Sequence, residues 1–163
     1  EERIMSVHTR DTHSAEAARR ATPEALLPGL MIVIAGAAQG DGALITAAYR
    51  GTSPVPEDQL SFPWDGATAV TTSLVWGATQ VLLVLGLVAF ARSGAAAGRS
   101  WRAGGALAVA GAGLYVLAHA ISAVAYDATL DSPVAILVLS CFGVGTLLTA
   151  TGLLMTGAAK LTA

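Results

Sequence analysis

The chain has 163 residues, of which 54% are hydrophobic and 12% charged, where soluble domains carry about a quarter charged. A formal net charge of −2 leaves no basic surface for nucleic acid, and one cysteine excludes a disulfide framework, a CxxC redox pair and a cysteine-rich zinc site. With a mean hydropathy of +0.63, the class that fits is an integral membrane protein.

The chain opens with a polar arm, residues 1–24, that reads as cytoplasmic. It lacks the apolar core of a cleavable signal peptide. Met5 is a candidate initiator, which makes Glu1 to Ile4 an appended remnant. Ser14 to Arg20 suits a short helix in what is otherwise expected to be a mobile, solvated tail.

Residues 25–163 read as an all-α transmembrane domain. Four runs meet the requirement of roughly 18 or more apolar residues with few charges. They are 26–49, 67–91, 103–126 and 133–159, and Asp41 is the sole charge within them. The runs are continuous and rich in Ala and Leu, unlike the alternating strands of a membrane barrel. The third and fourth have no polar stripe, which a soluble bundle would need.

Two outer loops, 50–66 and 127–132, and one inner loop, 92–102, connect the runs. Pro54, Pro56 and Pro63 stiffen the first loop and forbid a regular helix there. Trp64 and Trp101 read as anchors at the two membrane interfaces, with a lid over a ligand site as the alternative for Trp64. Arg3, Arg10, Arg19, Arg20, Arg92, Arg99, Arg102 and Lys160 fall on one side, against Arg50 alone on the other. The positive-inside rule then predicts an up-down four-helix bundle with both termini in the cytoplasm, set in the cytoplasmic (inner) membrane of a bacterium.

Helices in lipid associate through close approach at small residues rather than through apolar burial. Gly36 and Gly40 form a GxxxG in the first span, and glycines recur along the third and fourth. These read as intramolecular packing, with surplus faces left for a homo-oligomer or a larger membrane complex. No residue pattern repeats between the two halves of the chain, so an inverted repeat is not evident.

A charge deep in the bilayer costs roughly 2.5–3.5 kcal/mol on insertion scales and marks a functional site by default. Asp41 lies ~12 Å below the outer end of the first span at helical rise, and His119 lies ~11 Å below that of the third. This shared depth makes the two the candidate catalytic pair. Tyr115, His119, Ser122 and Tyr126 follow one helix face, and Trp76 and Gln80 bring the second span to the same layer. The expected ligand-binding set is therefore Asp41, Trp76, Gln80, Tyr115, His119, Ser122 and Tyr126, around a polar cavity at the bundle centre. Gln39, ~200° round the helix from Asp41, is expected to face another neighbour. A purely structural tie between Asp41 and His119 is the competing reading.

Absences narrow the chemistry. No lysine lies within a span to carry a retinal Schiff base, and one span histidine cannot supply two haem ligands. There is no P-loop, dinucleotide glycine pattern or nucleophile elbow, and no metal or cofactor is expected. Cys141 reads as a small buried hydrophobe.

Four spans with an acid in the first resemble small multidrug transporters. Four-span sterol-isomerase-like enzymes also use intramembrane histidine and acids. Neither family's motifs match residue by residue, so both stand as analogies. Three readings follow. The first is binding of a membrane lipid or apolar small molecule in an outward-facing pocket. The second is an enzyme or proton-coupled transporter using Asp41 and His119, and the third an accessory subunit of a larger membrane complex.

Overall fold

The computed structural model describes the backbone of residues 2–93 and 98–161, and the side-chain surroundings of 26–93 and 98–157. The arm's four arginines, Lys160 and residues 94–97 of the predicted inner loop lie outside the described side chains. Four helices make up the described fold: α1 (Glu2–Tyr49), α2 (Gly66–Arg92), α3 (Arg99–Val124) and α4 (Pro133–Leu161). Each is long and apolar enough to cross a membrane, over Leu26–Thr52, Gly66–Arg92, Arg99–Val124 and Pro133–Gly157. The protein is an all-helical, multi-pass membrane protein.

The helix ends follow local chemistry. A short 3-10 turn, Arg50–Thr52, closes α1 before Pro54 and Pro56 rule out further helix. Asp65 caps α2, accepting from the Thr68 backbone N–H at 3.0 Å. Thr68, through its side chain and then its backbone N–H, holds the Asp65 carboxyl below the usual carboxylate range. Ser132 does the same for α4, its Oγ accepting from Ala135 N at 3.2 Å, with Pro133 at the first helical position. Gly98, at φ 110°, leads into α3, a backbone conformation that glycine adopts without Cβ strain.

Two boundaries differ from expectation. α1 is helical from Glu2, so the arm is an extension of the first span rather than a separate tail. The span supplies the costly helical nucleus, and Ala15, Ala17, Ala18 and Ala21 favour its propagation. α3 begins at Arg99 and ends at Val124, earlier at both ends than the predicted run. Apolarity marks the membrane-spanning stretch, whereas Arg99 and Arg102 are good helix formers that lengthen it.

Each helix packs on its neighbours in sequence, α1 on α2, α2 on α3 and α3 on α4. Among the described residues, no Cα of α1 lies within 8 Å of one in α3 or α4. The 50–65 and 125–132 connections meet at one end. Leu60 N donates to Ala128 O and Leu130 N to Asp58 O, both at 2.8 Å.

The interior is built from small side chains. One cluster comprises Ala35, Leu83, Leu87, Ala108 and Ala112; the other comprises Ala118, Val138 and Cys141. Large apolar residues point outward instead, with Leu44 71% and Leu154 73% exposed. A water-soluble bundle would do the reverse, and a lipid surround explains the inversion.

α3 and α4 approach most closely. Gly104 lies against Gly152, and Gly111 against Gly145, backbone to backbone. Gly36 and Gly40 have nothing within 4 Å of a Cβ position. Among the described residues, the first-span GxxxG therefore has no neighbour packed against it, where intramolecular packing was expected. Trp101 also departs from expectation. It is 7% exposed and packs on Phe90 at 5.5 Å between centroids, with space provided by the missing side chain of Gly105. It belongs to the interior rather than to an interface belt.

Candidate functional site

A cleft of 520 Å³ lies between α1 and the α3–α4 pair, just below the 50–65 loop. Gln39, Gly42 and Thr46 of α1 form one wall; Trp76 of α2, Tyr115 and His119 of α3, and Phe142 of α4 form the others. Arg50 and Phe62 sit at its loop end, the guanidinium 5.7 Å from the ring centroid, a cation–π distance. A smaller cavity of 170 Å³ adjoins it and shares Thr46, Phe62, Trp76, His119 and Phe142. Ser122, Tyr126 and Trp64 line this second space.

His119 is the common element. It is 7% exposed and is enclosed by three rings. Phe142 stands edge-on at 5.0 Å, Trp76 lies at 6.2 Å, and Tyr115 is stacked at 6.4 Å. Gly77 admits it to the α2 surface, since a Cβ there would come 3.3 Å from the His119 Cβ. The His119 Nε2 is buried and has no hydrogen-bond partner among the described residues. Tyr115 points its hydroxyl elsewhere, to Thr146 Oγ1 at 2.5 Å.

The α1 wall is set by small residues. Trp76 packs into the space left by the absent side chain of Gly42, and Ala35 is 1% exposed on the same face. Gln39 reinforces that contact, donating from Nε2 to Thr79 Oγ1 at 2.6 Å. Gln39 thus faces α2, the separate neighbour expected for it.

Asp41 is displaced from its expected place. It is exposed and lines neither cavity. It directly precedes Gly42, and one step along a helix is ~100° of rotation. With Gly42 against Trp76, Asp41 must turn away from the cleft. Matching depth therefore does not bring Asp41 and His119 together, because depth is independent of rotation about the axis. Gln80 is also outside both linings, although it is 4% exposed.

Of the expected set, Trp76, Tyr115, His119, Ser122 and Tyr126 share the two adjoining spaces. Gln39, Arg50, Phe62 and Phe142 join them without having been singled out for a site. Three had a signal in the sequence: Gln39 is a polar residue within a span, Arg50 is the lone cation of its side, and Phe62 suited an aromatic interface position beside Trp64. Phe142 had no signal.

Trp64 also differs from a simple interface anchor. It packs between Tyr49, tilted at 5.1 Å, and Trp76, edge-on at 6.4 Å, and lines the smaller cavity. Cys141 is buried beside Val138 and Ala118, as a small hydrophobe would be. Among the described residues, no group of three or more His, Cys, Asp or Glu could hold a metal ion. No family model matches this chain, and no curated protein or solved structure matches it either.

Proposed function

We propose that this small polytopic membrane protein binds a lipid or apolar small molecule in the cleft around His119. The observation that carries this reading is the buried, unpartnered His119 Nε2 in the wall shared by both cavities. Buried polar groups nearly always have a partner, and leaving one without costs roughly 1–3 kcal/mol. Neutral imidazole offers one donor and one acceptor. A hydroxyl or carbonyl on a bound molecule fits it, while Trp76, Tyr115 and Phe142 supply an apolar surround. Ligand sites combine many aromatic contacts with a few placed polar groups, as this cleft does.

Arg50 at the loop end adds a cation suited to an acidic headgroup. The pairing of the 50–65 and 125–132 loops at one end supports an up-down threading. The distribution of arginine and lysine along the sequence supports cytoplasmic termini and an outward-facing cleft, as in a bacterial inner-membrane protein. The position of Asp41 outside the cleft weighs against a proton relay through both residues.

Native mass spectrometry from mild detergent tests the reading. The expected result is a bound species of defined mass on the natural chain that is absent from a folded His119→Phe variant. Equal occupancy in both, or none on the natural chain, overturns it.

A further inference from the structure

The face of α1 that turns away from the cleft is where Asp41 resides. Leu30, Ile34, Ala37, Asp41, Leu44 and Ala48 are all exposed. They succeed one another by alternating steps of four and three residues, the spacing of a coiled-coil seam. α1 is also the least covered span. Only 11% of its apolar window is buried, against 28%, 28% and 22% in the other three. Asp41 makes no hydrogen bond or ion pair among the described residues.

A carboxylate at this depth has few ways to be satisfied. Lysine and arginine reach the interface along their stems, but the aspartate side chain is too short to cross ~12 Å. Lipid tails offer it nothing, and intramembrane acids normally pair with other groups.

We propose that this seam docks a transmembrane helix of another protein that carries a basic side chain at the depth of Asp41. Charge complementarity selects that occupant over a second copy of this chain. No lysine or arginine lies within 26–49, 67–91, 103–126 or 133–159, and the one span histidine, His119, is 7% exposed. A second copy therefore presents no lysine or arginine at the depth of Asp41. In a seam of this spacing a single polar residue fixes register, so Asp41 aligns the partner as well as attracting it.

The experiment uses the full chain in phosphatidylcholine vesicles, carrying a donor dye at Gly51→Cys. That position is open, with nothing within 4 Å of a Cβ, and Cys141 is buried. Acceptor-labelled leucine–alanine transmembrane peptides are added, with either arginine or leucine at the matching depth. Energy transfer should report association about tenfold tighter for the arginine peptide, the scale of an interhelical polar contact in a membrane. The preference should vanish in Asp41→Leu and persist in Asp41→Glu. Equal association of both peptides overturns the proposal. So does self-association of the chain that depends on Asp41. Leucine suits a lipid-facing position, so Asp41→Leu should fold; if it does not, the natural chain's preference between peptides still decides.

Discussion

Gln39 and Thr79 form the polar tie between α1 and α2, with Nε2 to Oγ1 at 2.6 Å. The Thr79 hydroxyl donates in turn to the Trp76 carbonyl at 2.7 Å. That chain of donors connects α1 to the backbone of the residue whose indole floors the cleft. Polar contacts between membrane helices average about 0.6 kcal/mol and reach about 1.7 kcal/mol. In a double-mutant cycle of Gln39→Leu and Thr79→Val, read by thermal unfolding in detergent, the coupling energy should lie in that range. A coupling of zero would remove the tie from the account of how α1 is held.

Two glycines on α3 should respond in opposite ways to alanine. At Gly111 a Cβ would collide with the α4 backbone at 2.6 Å from both Gly145 O and Thr149 N, whereas Gly113 has nothing within 4 Å. Overpacking of this kind costs typically 1–3 kcal/mol. Gly111→Ala should lower the unfolding midpoint clearly. Gly113→Ala should leave it unchanged or raise it slightly, because alanine is about 1 kcal/mol better than glycine in a helix.

His119→Phe separates stability from binding. The imidazole nitrogen is buried without a partner, and replacing such a group by an apolar one of similar shape is nearly neutral or stabilising. The variant's unfolding midpoint in ligand-free detergent should therefore match or exceed that of the natural chain. A fall of several degrees would mean that His119 has a structural partner of its own.

Asp65 should make helix α2 sensitive to acid. Thr68 holds its carboxyl below the ordinary aspartate value of 3.8 in the folded chain. A folded-state value below the unfolded one adds stability above the unfolded value and loses it as pH falls through the folded one. Asp65→Ala should thus be less stable than the natural chain at neutral pH, with the difference closing below pH 3.8. A difference that persists unchanged in acid would assign the effect to something other than the charged cap.

Much of this protein was legible along its axis. Uninterrupted apolar runs and their lengths placed four spans within a few residues of those observed, because hydrocarbon thickness sets how many residues a helix needs to cross. The break at the prolines of 54–63 is local chemistry, readable from those residues alone. The one-face pattern of Tyr115, His119, Ser122 and Tyr126 likewise led to residues that line adjoining cavities, since it depends only on helical rotation within α3.

What the tertiary structure decided is rotation and partnership. Asp41 and Gln39 are both polar residues of α1, and the sequence alone offered the charged one as the inward group. The packing of Gly42 and Ala35 against α2 turned Gln39 to Thr79 and left Asp41 outside. Gly36 and Gly40 were likewise left uncovered, while Gly104 and Gly111 met α4. Composition and hydropathy establish how deep a residue lies, because the membrane is layered along one direction. Which way it faces depends on the shape of the neighbouring helix, and that exists only once the helices have packed.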